Sequence, residues 1–468
     1  MVNFSKRLEK DKIKEILRKP SPKIYFVGIG GISMSSLAVM LKVAGARVMG
    51  SDIRKTELTD SLSKRGIIVR YSHSREAIMA FQPDLVVFSL SVNENNAEYK
   101  TSLDMRVPSV TRSELLGAII DGYETSIGVS GSHGKSTVTA LLGELLKNAD
   151  LNPTVLCGAE IDSGLGLILG EKHHLVYEGC EYGDSFLNFS PDVALLLNLD
   201  LDHTDYFKSE EMIRQSFLKS ANNAKKACIL NLDSKNLAAI SEKITPTLHT
   251  FSKTNAGEYR YEALALNKGS YSFDLYCKNE LIGEYRPRIK GGFNMLNAVA
   301  SAVAADVIGI PYVLAKQGVE KFCGLKRRLE LIKSGEKIDL FYDYAHHPCE
   351  ISATNDALRD MGYKNICVIF APHTYSRTAY FLESFASELA KFDSAYVTDI
   401  YGARETAIVG VNSNTLSDSI NVAGGNSHAV SECEIFDVLN AVKKSNTDCI
   451  VLMGAGEIGK YKEEFMKI

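Results

Sequence analysis

Short, fully apolar runs recur along the chain, each followed by a glycine-bearing turn and a stretch with apolar positions at helical spacing. KIYFVG (23–28) reads as a buried strand, SMSSLAVMLKVAG as the helix behind it, ARVMGSD as the next strand and DLVVFSLS (84–91) as another. Strands apolar on both faces that alternate with helices predict a doubly wound parallel sheet. The pattern weakens at RVPSVTRSELL (106–116), where a proline and a helix start predict a boundary. It resumes with TSIGVSG, HLVYEGCE (174–181), DVALLLNLD (192–200) and KACILNLD (226–233). In GSYSFDLYCKNELIGEYRPRI (269–289) the period falls to two around Lys278-Asn279, which predicts a small antiparallel ribbon. GFNMLNAVASAVAADVIGI then predicts a helix with an alanine-rich buried face. After FCGLKRRLE (322–330), a third series runs IDLFYDYAHHP, NICVIFAP (365–372), SAYVTDIYG (394–402) and CIVLMGAGEIG (449–459).

Length agrees with this count of series. At 468 residues the chain exceeds the size at which one core stops growing, roughly 250–300 residues. Its 45% hydrophobic and 24% charged content is that of an ordinary globular protein. A formal charge of −4 argues against a surface built for nucleic acid, so any anionic ligand must be held by local amides and a few cations. Nine cysteines are scattered from Cys157 to Cys449, without the close pairs of a zinc or redox motif, which suits reduced thiols in a cytoplasm. The first twenty residues, MVNFSKRLEKDKIKEILRKP, lack the apolar core of a secretory signal and predict a surface helix docked on the first domain. No apolar run reaches the ~18 residues of a membrane span.

Two glycine loops carry candidate chemistry. In GIGGISMSSLA the spacing Gly28-x-Gly30-x-x-Ser33 lies between a strand and a helix, and Asp52 ends the next strand. A dinucleotide, another diphosphate-bearing ligand and a plain tight turn all remain open; what the spacing supports is a helix N-terminus facing an anion. The second loop, GVSGSHGKST (128–137), has Val129 where the strict phosphate-loop pattern needs glycine. Gly131 and Gly134 still let amides approach phosphate, Lys135 supplies a point charge, and Ser136 or Thr137 offers a hydroxyl to Mg²⁺. The expected architecture is α/β in three domains. They are a Rossmann-like domain (1–108), a P-loop-type central parallel sheet with a small β-ribbon (109–322), and a Rossmann-like C-terminal domain (323–468).

SGSHGKST resembles the shortened phosphate loop of the Mur ligases and their folylpolyglutamate synthetase relatives, in which the early glycine is absent. Further segments follow in that family's order over nearly the whole chain. GIGGISMSSLA resembles its UDP-binding loop, LNLDLDHTDYF its magnesium-binding histidine segment and GFNMLNA its adenine segment. KRRLE resembles its domain-closing arginines, and DYAHHPCE and FAPHTYSRT the two loops of its amino-acid domain. Together they are most similar to the branch that adds L-alanine. The resemblance implies an ATP- and Mg²⁺-dependent ligase that joins L-alanine to the carboxylate of UDP-N-acetylmuramic acid, in cytoplasmic peptidoglycan precursor synthesis. Such a reaction activates the carboxylate as an acyl phosphate, so it needs a phosphate loop, a divalent ion and cations at the developing oxyanion.

The resemblance also implies residue roles. Gly131, Ser132, His133, Gly134, Lys135, Ser136 and Thr137 would cradle ATP, with Asn294 and Asn297 on adenine and Arg328 and Asp343 on phosphate and ribose. Ser136 and Glu181 would hold one Mg²⁺, and His203 would help hold a second. Gly28, Gly30, Gly31, Ile32, Asp52, His73, Ser89, Ser91 and Arg112 would form the UDP-sugar site. Tyr344, His346, His347, His373 and Arg377 would form the amino-acid pocket, with Lys135, Glu181, His203 and Arg377 as the catalytic set.

Read without the family, several residues carry other meanings. Mg²⁺ prefers oxygen, so Asp202 or Asp205 is the more natural ligand than His203. The asparagine pair also reads as helix capping, and Lys326-Arg327-Arg328 as a solvated turn. Departures from the family pattern are Cys180 and Gly183 in place of acids, Phe293 in place of a histidine, and Phe217 where sister ligases carry a carbamylated lysine, so no carbamate is expected. The nearest rival is another ligase of the same superfamily, adding a different amino acid or peptide or extending folate with glutamate. An NAD-dependent oxidoreductase leaves Lys135 unexplained, and a P-loop switch lacks a guanine-reading Asn-Lys-x-Asp segment.

Overall fold

The computed structural model describes residues 8–161, 164–204, 206–403 and 405–466; Asp205 lies outside them. The chain forms two compact units. One takes in the chain up to Leu199, Arg214–Phe251 and Val303–Ala315; the other takes in Asp200–Ile213, Ser252–Ala302 and the chain from Lys316 onward.

The first unit contains two sheets. Five parallel strands run in the spatial order Ile68–Arg70, Arg47–Ser51, Lys23–Val27, Leu85–Phe88, Ser109–Thr111. Tyr25, Phe26, Val27, Val86 and Val87 are wholly buried because helices cover both faces, which is why these strands read as unbroken apolar runs. The chain lays strands outward on one side of Lys23–Val27 and then returns to the other, so a topological switch point lies beside the first glycine loop.

The expected boundary after residue 108 cuts through this sheet, since Ser109–Thr111 pairs in parallel with Leu85–Phe88. Pro108 marks the entrance to an edge strand, where a missing N–H does no harm. Its carbonyl accepts from the Val86 amide at 2.9 Å. Thr111 then forms a capping box with Glu114 and starts the helix Arg112–Ile120. The N-terminal helix Lys10–Leu17 packs on that helix, burying Ile13 and Ile16, and its Lys14 meets Asp121 at 2.8 Å.

The second sheet has parallel strands in the order Thr247–Ser252, Ala227–Asn231, Val193–Leu196, Thr125–Ser130, His174–Gly179, Thr154–Leu156, with the short antiparallel Leu167–Ile168 at its end. Helix Lys135–Asn148 follows Thr125–Ser130 and buries ten residues.

In the second unit, the ribbon has three antiparallel strands, Tyr259–Asn267, Ser270–Cys277 and Glu280–Tyr285. Both of its turns, Lys268-Gly269 and Lys278-Asn279, have positive φ at both central residues, as two-residue hairpins require. Helix Gly292–Val307 buries Ala298, Ala300 and Ala302 completely or nearly so. The third sheet runs Glu330–Lys333, Asp339–Asp343, Cys449–Gly454, Ile366–Ala371, Ser394–Val397, Ser427–Ala429, parallel except for its first strand. A separate apolar cluster fills each of its faces.

Candidate active site

The nine residues expected at the UDP-sugar site all sit at the carboxyl ends of the five parallel strands of the first sheet or open the helix that follows. Across the sheet, His73 follows Ile68–Arg70, Asp52 follows Arg47–Ser51, and Gly28, Gly30, Gly31 and Ile32 follow Lys23–Val27. Ser89 and Ser91 follow Leu85–Phe88, and Arg112 follows Ser109–Thr111. Ligands of open α/β sheets bind on this edge.

Gly28 has φ 81°, and a Cβ there would stand 3.0 Å from that of Ser89. Gly30 donates its N–H to Asp52 Oδ2 at 2.8 Å, and the other Asp52 oxygen accepts from the Arg54 amide at 3.1 Å. Asp52 therefore braces the loop from below. Gly31 caps helix Ile32–Val43 without a side-chain bond to its first turn, leaving an N-terminus suited to an anion. Ser89 and Ser91 hydroxyls lie 3.1 Å apart. Arg112 donates to Ser33 Oγ at 3.1 Å; burial lowers its guanidinium from the ordinary value, against the opposing charges of Cys180 and Glu178.

The phosphate loop joins Thr125–Ser130 to helix Lys135–Asn148. Gly134, the helix cap, has φ 82°, a conformation that favours glycine. Lys135 Nζ donates to the carbonyls of Gly131 and of Ser132, the latter at 3.1 Å, and pairs with Glu181 at 3.0 Å. Burial works against the ammonium, yet Glu181, Cys180 and Glu178 together hold its pKa above the ordinary value, so the lysine stays charged. Ser136 Oγ donates to Glu178 Oε2 at 2.9 Å, not to Glu181, and the Gly158 amide donates to the same oxygen at 2.7 Å. His133 is clamped by Asn198, which accepts from its amide at 2.8 Å and donates to its carbonyl at 3.0 Å. Thr137 is buried in the first turn.

Glu178 and Asn198 were missed in the sequence. Glu178 lies in the acidic segment three residues before Glu181, and Asn198 lies in LNLDLDHTDYF, but neither segment shows locally which loop atoms these side chains bond. Phe217 is fully buried, edge-on to Phe186 at 5.2 Å.

The remaining expected residues lie in the second unit. Asn294 and Asn297 are buried and bonded to one another at 3.0 Å, and Asn294 donates to the Lys290 carbonyl at 2.8 Å rather than capping the helix N-terminus. Arg327 and Arg328 lie over the Tyr344 ring at 4.6 and 5.0 Å, so both are packed where a wholly solvated turn was the alternative. Asp343 is buried, accepts from Thr354 Oγ1 at 2.7 Å, and is pushed up to about 6 by burial.

Arg377 and Asp202 form a buried ion pair at 2.7 Å, and the other terminal nitrogen of Arg377 donates to His373 Nδ1 at 3.0 Å. Burial, with His346 and Arg377 nearby, pulls His373 down to about 3, so it is a neutral acceptor. Its ring stands edge-on to His346 at 5.7 Å, and His346 to Tyr344 at 5.3 Å. His203 has φ 52°, and its amide donates to Asp202 Oδ1 at 2.6 Å. His347, expected in the amino-acid pocket, caps helix Pro348–Asp360 through Nδ1 and packs on Phe381 at 4.7 Å.

Among the described residues, no three His, Cys, Asp or Glu side chains gather into a metal cage. The donors around the phosphate loop, Ser136, Glu178 and Glu181, are oxygens, and such a partial set suits Mg²⁺, which takes few protein ligands and keeps phosphate oxygens.

The fold and loop define a parallel-sheet α/β protein with a phosphate-loop turn and an arginine–histidine cluster. Three family profiles match in succession: Mur ligase family, catalytic domain, over residues 23–124; Mur ligase middle domain over 129–305; and Mur ligase, glutamate ligase domain, over 327–456. The chain is 36% identical over 455 residues to UDP-N-acetylmuramate–L-alanine ligase of Caldanaerobacter subterraneus subsp. tengcongensis, covering 95% of this chain and 97% of that one. The enzyme of that name from Acetivibrio thermocellus is 36% identical over 454 residues, with 95% of each chain covered. The crystal structure of UDP-N-acetylmuramate-alanine ligase MurC from Thermotoga maritima superposes with a TM-score of 0.81 at 26% identity, covering 95% of this chain and 98% of that one. The protein belongs to the Mur ligase family. No helix among the described residues is long and apolar enough to cross a membrane.

Proposed function

We propose that the protein is an ATP-dependent ligase that joins L-alanine to the carboxylate of UDP-N-acetylmuramic acid, releasing ADP and phosphate, in cytoplasmic peptidoglycan precursor synthesis. The observation that carries the reading is the phosphate loop, with Lys135 part-buried, charged and ion-paired to Glu181. Likeness to ligases of that activity along nearly the whole chain supports the choice of substrates. The sugar nucleotide is assigned to the strand ends of the first sheet, which extends to Thr111, ATP to the loop on the second, and L-alanine to the cluster beside the third.

In this reaction a carboxylate oxygen of the sugar nucleotide attacks the γ-phosphorus of ATP. The new O–P bond forms as the bond to ADP breaks. The amine of L-alanine then attacks the acyl carbon, the tetrahedral adduct collapses, phosphate leaves with the C–O electron pair, and the amine's surplus proton passes to solvent. Lys135 neutralises charge on the β- and γ-phosphates, and the first-turn amides of its helix face the same oxygens. Ser136 with Glu181 and Glu178 would hold a Mg²⁺, and His203 would help hold a second; the ion supplies charge neutralisation at the transferring phosphoryl group. Asn294 and Asn297 take the adenine, and Arg328 and Asp343 the phosphate and ribose. Arg377, already fixed by Asp202 and His373, offers its remaining N–H donors to the alanine carboxylate, with His346, Tyr344 and His347 around it.

The test is phosphate release from Mg²⁺ and ATP with UDP-N-acetylmuramic acid and, in turn, L-Ala, Gly, L-Ser, D-Glu and meso-diaminopimelate. Release should require the sugar nucleotide, be fastest with L-Ala and fall at least roughly a hundredfold in Lys135→Ala, the scale of losing a preorganised charge at the transition state. Equal rates with D-Glu or diaminopimelate would move the protein to a sister ligase.

A further inference from the structure

One carboxylate of the first sheet is wholly buried and has no part in the chemistry above. Glu98 sits in the first turn of helix Ala97–Asp104, whose cap Asn96 accepts from the Glu98 amide at 2.9 Å. Its Oε1 accepts from the Tyr25 hydroxyl at 2.7 Å, and its Oε2 from the Ser51 hydroxyl at 2.5 Å. The same Oε2 lies 2.9 Å from His73 Nδ1. His73 Nδ1 also lies 3.0 Å from Ser51 Oγ, whose own hydrogen goes to Glu98, so Ser51 Oγ can only accept there and the geometry calls for the hydrogen on Nδ1. Burial and the nearby Glu98 charge raise the Tyr25 phenol, which therefore stays a donor.

This arrangement reaches the ligand edge at two points. Ser51, which donates to Glu98, also accepts from the Gly28 and Ile29 amides through its carbonyl at 2.8 and 2.9 Å. His73, 21% exposed, turns Nδ1 towards the buried acid, so Nε2 is the ring nitrogen available to a ligand. A buried carboxylate is costly unless paired, and His73 is the one partner among these three that can also carry a positive charge.

We propose that Glu98 is a positioning residue of the sugar-nucleotide site: it holds the His73 ring with Nδ1–H turned inward and Nε2 presented to a polar oxygen of the UDP-sugar. The proposal rests on the reading that the strand ends of the first sheet bind that ligand.

The test is calorimetric binding of UDP-N-acetylmuramic acid and of a non-hydrolysable ATP analogue to wild type, Glu98→Gln, His73→Ala and the double variant. Glu98→Gln should weaken the sugar nucleotide about tenfold, the effect of one charge-assisted hydrogen bond, and leave the ATP analogue within about twofold. Because Glu98 acts through His73, the double variant should bind no more weakly than His73→Ala. Wild-type affinity in Glu98→Gln beside a weakened His73→Ala overturns the proposal, as do losses that simply add. Sugar-nucleotide binding that His73→Ala leaves untouched, or that wild type lacks, overturns the site reading and the proposal with it. Nitrogen NMR of His73 in the wild-type protein gives a check independent of any variant's folding: the Nδ1-protonated form is expected, and a neutral ring protonated on Nε2 alone would refute the proposal.

Discussion

Asn198 holds the phosphate loop from a neighbouring strand end, and replacing it by alanine removes the two hydrogen bonds it makes to the His133 backbone. Losing two such bonds costs roughly 1–3 kcal/mol, so Asn198→Ala should lower the melting temperature and raise the KM for ATP, with the KM for L-alanine little changed; steady-state kinetics with calorimetry would show it. Asp343 gives a prediction in pH. Its folded pKa of about 6 lies above its ordinary 3.8, so its contribution to stability is full below about pH 4 and is lost as pH rises through 6. Asp343→Asn should therefore match wild type near pH 4 and exceed it by up to roughly 3 kcal/mol at pH 8, measured by urea unfolding. The placement of a residue was legible where a motif fixes local geometry, as at Lys135, which opens the helix behind the glycine turn. It was not legible where a side chain's partner is distant in sequence: Asp202 lies 175 residues from Arg377, and Asn198 lies 65 residues from His133.

The helix Arg112–Ile120 shows what an element adds to its residues. It presents Arg112 to the glycine-loop helix while Gly117, on its body, lies so close to the Asn188 carbonyl that a Cβ would overlap it. Asn188 in turn donates to Ser113 at 3.0 Å, locking the helix to the turn that follows Glu181. Gly117→Ala should destabilise by about 1–3 kcal/mol through overpacking. It should also weaken sugar-nucleotide binding, because the helix must shift and carry Arg112 with it; thermal unfolding and titration would register both. Leu85–Phe88 and Thr125–Ser130 were readable from their apolar runs, and the ribbon from its period of two. Ser109–Thr111 was not, because three residues at a sheet edge behind a proline carry too little pattern to tell a strand from a linker.

At the scale of the whole molecule, the nine scattered cysteines become reporters of its two compact units. Cys157 and Cys228 are buried in the first, Cys367 and Cys449 in the second, while Cys323, Cys349 and Cys433 are exposed. Only the thiolate reacts, and burial pushes Cys228 and Cys367 up to about 12 and Cys449 higher still. Cys349, though exposed, is held near 11 by partial burial and neighbouring acids, so at pH 8 a thiol reagent should take Cys323 and Cys433 first and Cys349 slowly. The four buried thiols should react only as their own unit opens. Cys157 donates to the Ser136 carbonyl at 3.5 Å, directly behind the phosphate loop, so its labelling follows the state of that loop. A ligand that binds only the closed form stabilises it by RT ln(1 + [L]/Kd), about 2.7 kcal/mol at a hundred times Kd. A non-hydrolysable ATP analogue with Mg²⁺ should therefore slow Cys157 modification by about a hundredfold in wild type and leave Lys135→Ala unprotected, read by mass spectrometry of labelled peptides. Equal labelling of Cys157 with and without nucleotide would mean that the loop is not where ATP binds.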